Sequence, residues 1–410
     1  MRILVLVPGD VGTHMSGPAI RAWMLARGLS ESHTVTAAID GQLPEAAPEG
    51  LRIFQVTRPQ FLLETLRHDV IVSGCPPPYA VIAARAASAV MVADLYDPVE
   101  LELQTVDGRD RLRQAVRMLR RYHHRHADLV LCAGQAQRRL LLEELDSIGR
   151  VGPSAPAIGV VPYGLPEAPE PSRETPIRRY FPEIKESDRV VLWWGKIWSW
   201  FDPETAIEAF VPLARSRPEV KLVITAGRAP DPKTDILSLD WKARELAAKH
   251  GLLGKNVFFV DDWIPYAERH YWLQEADLGL TLHTDSPEAE FAARARYMDY
   301  IWAGLPSVLA RGDDVAAEFA REGAAVLVEP GDAAAVTSRV IELLDDHDAL
   351  RRAGDAAAAL AERYRWDAIA RDLNSMIEQV AGSPRASRSG SVRALGGAGV
   401  YYGLRAFARR

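Results

Sequence analysis

The sequence predicts an α/β fold of two doubly wound, Rossmann-like domains that face each other across a cleft. Short apolar runs alternate with helical segments, which is typical of parallel sheets covered by helices on both faces. The alternation occurs twice, and a stretch rich in Pro, Ser and Glu at 167–175 separates the two parts. The 410 residues, 48% of them hydrophobic and 25% charged, suffice for two domains of about 150 to 200 residues each.

The predicted domain boundaries follow these changes in pattern. The N-terminal domain covers 1–165, with predicted strands at 2–8, 33–39, 51–56, 69–74, 89–95 and 128–134. A linker at 166–188 precedes the C-terminal domain at 189–365, with predicted strands at 189–195, 221–227, 256–262, 276–282, 306–310 and 325–330. Residues 366–380 predict a helix that packs back towards the N-terminal domain. Residues 381–410, with six arginines and no acidic residue, predict a basic flexible tail.

Composition excludes some classes of protein. The 49 Lys and Arg residues against 55 Asp and Glu residues give a net charge of −6, which argues against a general nucleic-acid binder. Cys75 and Cys132 are the only cysteines, so we expect buried, reduced thiols in a cytoplasmic protein. The sequence has neither the pattern of a signal peptide nor an apolar run of about 18 residues that would span a membrane.

A glycine-rich loop follows the first predicted strand. It runs from Gly9 to Gly17, and Pro18 then begins a helical stretch. Its glycines allow backbone N–H groups to approach a ligand, and the helix N-terminus favours an anion. The spacing differs from the dinucleotide fingerprint G-x-G-x-x-G. A tight turn without a ligand explains the loop equally well.

The segment 109–126 predicts a basic amphipathic helix. Its cations at 109, 113, 117, 120 and 124 are predicted on one face, opposite the leucines. Two interpretations are open for such a helix. It binds the inner face of an anionic membrane, or it is an ordinary solvated helix that docks through its leucines. The same two interpretations apply to the tail at 381–410. The histidines at 123, 124 and 126 point in different directions, and no metal site is predicted.

The segment 283–306 predicts a strand-to-helix unit that follows the strand at 276–282. Its buried stripe is predicted from four side chains at helical spacing: Phe291, Ala295, Met298 and Trp302. Arg296 and Asp299 lie three residues apart and are expected at the edge of the cleft. Gly304 ends the helix. Ligands of α/β proteins bind beyond the carboxyl ends of strands, so this unit is a candidate binding element.

Other polar residues follow the strands of the second domain. Gly195 allows the backbone to approach a ligand, and Lys196 is suited to neutralise a phosphate. Asp262 and Trp263 begin an irregular segment. Its backbone is suited to bind the edge of a nucleobase, or the segment merely leads into the next helix. Arg228 is a further cation at the end of a strand. The sequence contains no P-loop and no metal-ligand pattern.

Several motifs occur in one order along 1–380. They are SerGly at 16–17, VVPYGLP at 160–166, Gly195-Lys196, MDYIWAGLPSVLA at 298–310, EPGDAAAV at 329–336 and RW at 365–366. In this order the chain resembles the family 4 glycosyltransferases of the GT-B fold. It is especially similar to a subset with a WFDP loop, an RxRxxDYxWAGLP helix and a GD pair such as Gly312-Asp313.

The resemblance implies an enzyme that transfers a sugar from a nucleotide diphosphate donor with retention, without a metal ion or cofactor. The implied acceptor is a glycan or lipid-linked glycan, in polysaccharide or cell-surface glycan biosynthesis. Asp299 matches the acidic residue that holds the nucleotide ribose, and Lys196 matches the basic residue that stabilises the leaving diphosphate. A nucleotide-sugar epimerase of the same fold and a catalytically weak scaffold that binds nucleotide sugars are the alternatives.

The chain departs from the family pattern beside the donor. The family has two glutamates eight residues apart, whereas Phe291 lies eight residues before Asp299. Glu290 is the neighbouring acid and the candidate for contact with the donor sugar. The family's second phosphate-binding lysine is missing near Phe201, and Arg228, Arg294 and Arg296 are the candidate replacements.

The chain also departs from the family pattern in the first domain. Many relatives have a histidine near the reacting sugar, and Tyr96 followed by Asp97 stands in the matching stretch ADLYDP. Tyr96 is able to donate a hydrogen bond but is a poor base at neutral pH. We therefore expect the leaving phosphate to take the larger part in proton transfer.

Overall fold

A computed structural model describes residues 1–74, 76–106, 108–227 and 239–383. Cys75, Arg228 and the tail beyond residue 383 lie outside the described residues. The chain divides into two compact units, one formed by Met1–Gly164 with the segment that begins at Trp366, the other by Leu165–Arg365.

The first unit contains a seven-stranded sheet in the order β3-β2-β1-β4-β5-β6-β7, with every pair parallel. Its elements in chain order are β1 (Arg2–Pro8), α1 (Gly17–Ser30), β2 (Thr34–Asp40), β3 (Leu51–Gln55), α2 (Arg58–Arg67), β4 (Val70–Ser73), α3 (Pro78–Ala86), β5 (Val90–Asp94), α4 (Val99–Glu102), α5 (Asp110–His126), β6 (Leu129–Cys132), α6 (Gln135–Ser147) and β7 (Ala157–Val160).

The second unit contains a six-stranded parallel sheet in the order β10-β9-β8-β11-β12-β13. Its elements are α7 (Pro176–Tyr180), β8 (Arg189–Trp193), α8 (Pro203–Ser216), β9 (Val220–Thr225), α9 (Asp240–Lys249), β10 (Val257–Val260), α10 (Arg269–Glu275), β11 (Leu278–Thr281), α11 (Pro287–Phe291), α12 (Ala295–Trp302), β12 (Ser307–Ala310), α13 (Asp314–Arg321), β13 (Ala325–Val328), α14 (Ala333–Asp345) and α15 (His347–Ala361). The helix α16 (Trp366–Gly382) then returns to the first unit.

The prediction of two doubly wound α/β units is confirmed. The central strands β4, β6, β8 and β11 are buried along almost their whole length, as expected for strands covered on both faces. In each sheet the strand order reverses once, between β1 and β4 and between β8 and β11. Such a reversal marks the position at the carboxyl edge where α/β proteins bind ligands.

The strand β7 was not predicted. It has four residues, one of them Gly159, and it lies at the edge of the first sheet. A Cβ at Gly159 would lie 2.6 Å from the sulfur of Met376 in α16. The absence of a side chain therefore lets the last helix approach the edge strand, and it also weakens the apolar pattern that would have predicted the strand.

Two motifs of the sequence analysis meet in the first unit. Gly164 of VVPYGLP lies against Trp366 of the late RW pair, where an added Cβ would be 2.4 Å from the indole. The rings of Tyr163 and Trp366 lie 5.5 Å apart. The glycine in the first motif thus makes room for the tryptophan in the second, although about 200 residues separate them in the sequence.

The predicted cationic face of α5 is partly wrong. The Nε atom of Arg120 donates to both carboxylate oxygens of Glu144, at 3.0 and 2.9 Å, and Arg117 lies 3.3 Å from Glu100. His124 is fully buried beside Glu144. Carboxylates on neighbouring helices therefore neutralise part of the face that the sequence presented as uniformly basic.

Other expectations concern thiols, metal sites and membrane spans. Cys132 is buried and free, and burial raises the pKa of its thiol to about 11. Within the described residues no cluster of His, Cys, Asp or Glu side chains is arranged to hold a metal ion. None of the described helices is both long enough and apolar enough to cross a membrane.

Candidate functional site

The candidate site lies at the carboxyl edge of the second sheet, where the strand order reverses between β8 and β11. Gly195 and Lys196 form the turn after β8. Gly195 has a φ of +83°, which favours glycine, and a Cβ there would lie 3.3 Å from the Nη2 atom of Arg296. Both conditions keep this turn without a side chain and let the guanidinium of Arg296 lie against its backbone.

Arg296 is the most unusual charged residue of the site. Its Nη2 atom donates to the carbonyl of Lys196 at 2.6 Å, and its guanidinium lies 3.8 Å from the ring centre of Phe201. Arg296 is 9% exposed and its Nη1 atom is buried without a hydrogen-bond partner. No described carboxylate forms an ion pair with it. Burial lowers its pKa to about 10, so the side chain stays charged at neutral pH.

Arg296, which was expected at the edge of the cleft, is thus buried, and the single predicted helix is divided. The structure has α11 and α12 in place of one helix, with extended backbone at Ala292 and Arg294. Phe291 is only partly buried, whereas Met298 and Trp302 are buried. The predicted stripe is accordingly interrupted between its first and third members.

Arg294 forms an ion pair across the division of this helix. Its Nη1 and Nη2 atoms donate to the two carboxylate oxygens of Glu288 at 3.0 and 2.9 Å, and both side chains are almost completely buried. Burial disfavours the charged guanidinium, but Glu288 more than offsets this and raises the pKa of Arg294. The charge of Arg294 is thus neutralised within the protein. Arg294 is not available as the replacement for the missing phosphate-binding lysine.

Lys196 and Glu290 occupy different environments. Lys196 is 8% exposed, and its ammonium lies 5.5 Å from the ring centre of Trp198. Glu290 is exposed on α11, two residues after the buried Glu288. The structure brings Lys196 to Arg296 through the backbone hydrogen bond, whereas it places Glu290 on the surface.

Asp299 lies on α12 with two partners that were not predicted. Its Oδ2 atom accepts from the indole Nε1 of Trp194 at 3.0 Å, and its Oδ1 atom lies 3.4 Å from Nε of Arg269. Burial raises the pKa of Asp299, while Arg269 and the indole N–H favour the carboxylate form. The side chain is 21% exposed. We name Trp194, Arg269 and Asp299 the Asp299 cluster.

Two aromatic rings fix Arg269. Its guanidinium lies 3.8 Å from the ring centre of Tyr266 and 3.9 Å from that of Trp302. Its Nη1 atom donates to the carbonyl of Tyr266 at 2.8 Å. Cation–π contacts on both faces hold the guanidinium in one plane. The segment after β10 is thereby connected to Asp299.

Asp262 and Trp263 begin that segment. The carboxylate of Asp262 accepts from the hydroxyl of Tyr180 at 2.9 Å, and Trp263 is half-buried. Gly227 allows β9 to end close to this segment, because a Cβ there would lie 2.3 Å from the carbonyl oxygen of Asp262. Neither predicted residue forms a hydrogen bond with Asp299 or Lys196 in the described contacts.

In the first unit, Tyr96 and Asp97 follow β5 at the carboxyl edge. The guanidinium of Arg21 lies 4.5 Å from the ring centre of Tyr96. Burial and the neighbouring Asp97 raise the pKa of Tyr96 well above its usual value. Its phenol is therefore protonated at neutral pH and serves as a donor rather than a base.

Arg21 was missed by the sequence analysis. It is fully buried and donates to both oxygens of Asp94, at 2.8 and 2.9 Å. It also donates to the carbonyls of Val161 and Pro162. The predicted Gly17 begins α1, and its carbonyl accepts from Tyr163 at 3.4 Å. An arginine between the apolar residues Ile20 and Ala22 of this helix was the only signal in the sequence.

Comparison with solved structures extends the fold assignment to 92% of the chain. HepE of Anabaena, solved with UDP-glucose, has a TM-score of 0.67 at 17% identity over 92% of this chain and 100% of its own. Sucrose-phosphate synthase of Thermosynechococcus elongatus has a TM-score of 0.67 at 16% identity over 92% and 98% of the two chains. The chain has the GT-B fold. No protein-family model and no curated protein sequence matches it.

A third structure with the GT-B fold is WaaG, a glycosyltransferase involved in lipopolysaccharide biosynthesis. Its TM-score is 0.64 at 16% identity, over 92% of this chain and 99% of its own. HepE was also solved with UDP, and with UDP and glucose. Identities this low show a shared fold, so the activity of the present GT-B chain has to be argued from its own residues.

Proposed function

We propose that this protein is a glycosyltransferase that uses a nucleoside-diphosphate sugar, and that the nucleotide binds at the carboxyl edge of the second sheet. The observation that carries the proposal is Arg296, a buried cation with no bonded carboxylate, which lies against the turn at Gly195. Burying a charge without a partner is costly. An anionic ligand at this position would compensate that cost, and the likeness to HepE, solved with UDP, supports a nucleotide as the ligand.

The diphosphate has two cations available. Arg296 donates to the backbone carbonyl of Lys196, so the two cationic residues are neighbours at the turn after β8. Fixed positive charges stabilise a leaving diphosphate most as its charge develops. Of the three arginines considered for the second phosphate contact, Arg294 is neutralised by Glu288, whereas Arg296 is buried without a bonded carboxylate. We therefore assign this role to Arg296, and we assign the donor as a substrate with no further cofactor.

The nucleoside part is assigned to neighbouring residues. Asp299 is able to accept both hydroxyls of the ribose, because its two carboxylate oxygens offer about four acceptor positions and the described partners occupy about two. The half-buried Trp263 after β10 is assigned to the base. Asp262, bonded to Tyr180, positions that segment.

The proposed reaction breaks the bond between the anomeric carbon and the phosphate oxygen, and the electron pair leaves with the diphosphate. A hydroxyl of the acceptor forms the new bond on the same face of the sugar, and its proton passes to the leaving phosphate oxygen. Tyr96, protonated at neutral pH, donates a hydrogen bond on the acceptor side beside Asp97. Glu290 stays the candidate for contact with the donor sugar. The proposed acceptor is a glycan or lipid-linked glycan.

The test combines binding with transfer. UDP, GDP and ADP are screened for thermal stabilisation, since a ligand of the folded state raises its apparent stability. Lys196→Ala and Asp299→Ala are each expected to lower transfer by at least about a hundredfold while the fold is kept. The control is Lys242→Ala. The ammonium of Lys242 lies 5.6 Å from the ring centre of Trp241, and that of Lys196 lies 5.5 Å from the ring centre of Trp198, so the two lysines have similar aromatic contacts. Near-normal transfer in both site variants would contradict the assignment.

Product analysis separates this proposal from its alternatives. Conversion of the donor to an epimer without an acceptor would indicate an epimerase. Nucleotide binding with no turnover on any acceptor pool would indicate a scaffold. Transfer to an acceptor with retained anomeric configuration is the expected result.

A further inference from the structure

Two side chains hold the carboxylate of Asp299. The indole N–H of Trp194 is fixed by its position at the end of β8, directly before the Gly195 turn. Arg269 belongs to α10 and is held between two rings. Three elements that are distant in sequence therefore converge on one carboxylate. A surface carboxylate that only contributed solubility would need none of these contacts.

The contacts leave the carboxylate oriented but still available. Trp194 occupies one acceptor position of Oδ2, and Arg269 approaches Oδ1 at 3.4 Å, which is long for a hydrogen bond. Each oxygen keeps a second lone pair. Two hydroxyls of a cis-diol match two oxygens in this arrangement. The side chain of Asp299 is partly exposed, so a ligand is able to reach it.

Protonation would destroy this acceptor pair. A protonated carboxyl group donates from one oxygen and so offers one acceptor fewer. Burial favours this protonated form of Asp299, and the indole N–H and the guanidinium both oppose it. The orientation and the ionisation of Asp299 therefore depend on the same two neighbours.

We propose that Trp194 and Arg269 are positioning residues that preset Asp299 to read the ribose hydroxyls, so that the site selects ribonucleotide over 2′-deoxyribonucleotide donors. This inference rests on the proposed function and adds the residues that determine selectivity. A site built around a hydroxyl discriminates strongly against an analogue without it, because a desolvated polar group is left unpaired.

The experiment measures the affinities of UDP, GDP and ADP and of their 2′-deoxy counterparts by calorimetry, using the full chain. The wild type is expected to bind at least one ribonucleotide at least about tenfold more tightly than its deoxy counterpart. Trp194→Phe and Arg269→Gln are each expected to reduce this ratio by about threefold or more, through loss of a fixed contact to the carboxylate. Arg269→Lys is expected to restore part of the ratio, because it keeps the charge.

Two matched controls separate positioning from folding. Trp193, the adjacent residue, has a buried indole N–H without a partner, so Trp193→Phe is expected to leave the ratio unchanged. Arg244 lies 4.4 Å from the ring centre of Phe259 and pairs with Asp261. Like Arg269, it is stacked on a ring and paired with a carboxylate, so Arg244→Gln is the control for loss of such an arginine away from Asp299. In an Asp299→Asn background, Trp194→Phe is expected to have no further effect on the ratio.

The outcomes distinguish this inference from the proposed function. Binding of a ribonucleotide with a ratio that is unchanged in Trp194→Phe and Arg269→Gln would overturn the inference alone. An equal fall in ratio in the control variants would also overturn it, since the effect would then be one of general destabilisation. Absence of binding by the wild type to every nucleoside diphosphate would overturn the proposed function together with the inference.

Discussion

Arg294 precedes α12 and Arg296 lies within it. We predict that replacing Arg294 lowers stability, whereas replacing Arg296 lowers nucleotide binding without lowering stability. Arg296 has no bonded carboxylate, and burial lowers its pKa by between two and three units from the ordinary value for arginine, to about 10. At about 1.4 kcal/mol per pKa unit, its charged form costs the folded state about 3 kcal/mol. Replacement by methionine removes this cost and also removes the hydrogen bond to the Lys196 carbonyl, which contributes about 1.5 to 3 kcal/mol. Arg296→Met is therefore expected to be about as stable as the wild type, or more stable.

Arg294→Met provides the contrast. The same change there leaves Glu288 buried without its partner, which costs about 3 to 5 kcal/mol. Equilibrium unfolding in urea, followed by tryptophan fluorescence, measures both variants. We expect Arg294→Met to lie at least about 3 kcal/mol below Arg296→Met, while only Arg296→Met loses stabilisation by a nucleoside diphosphate without loss of fold. Equal destabilisation of the two variants, or unchanged nucleotide binding in Arg296→Met, would refute the reasoning.

Two further predictions concern pH and membranes. Burial raises the pKa of Asp313 to about 6 from 3.8, so the folded state retains a proton between these pH values and loses about 3 kcal/mol of stability as pH rises through this window. The variant Asp313→Asn keeps the cap on α13 and should stabilise the protein at pH 7 but have little effect near pH 4. An equal effect at both pH values, measured by urea unfolding, would contradict this prediction. For the membrane interpretation of 109–126 and 381–410, the exposed Arg121 and Arg125 are the informative cations. Their joint replacement by glutamine should weaken the free energy of binding to anionic liposomes at low salt by about 2 kcal/mol, measured by cosedimentation, with Arg113→Gln as the control. Unchanged cosedimentation would leave the interpretation of a solvated helix.

The sequence was sufficient to predict the parts of the fold that depend on local pattern. Apolar runs of four to seven residues gave the buried strands, because strands covered on both faces need apolar side chains along their whole length. The pattern failed at β7, where Gly159 and a short length remove the signal. It also failed at 283–306, where helical spacing continued through a segment that is not helical.

The failures at the site have one physical cause. The buried ion pair of Arg294 and Glu288 spans the break between α11 and α12, and nothing in the spacing of charged residues indicated that this pair would be buried. Trp194 and Arg269 lie 105 and 30 residues from Asp299. Their contacts arise from the order of strands in the sheet. Single-sequence patterns predict which residues follow a strand, and they do not predict which of those residues become partners.

The central claim is that Lys196 and Arg296 bind the diphosphate of a nucleotide donor. The most direct test is the calorimetric affinity ratio between a nucleoside diphosphate and the corresponding monophosphate, for the wild type and Arg296→Met. The account predicts that the wild type binds the diphosphate at least about tenfold more tightly, since each charge-assisted hydrogen bond contributes about 1.5 to 3 kcal/mol, and that the ratio falls towards one in the variant. An equal preference for the diphosphate in both proteins would contradict the account.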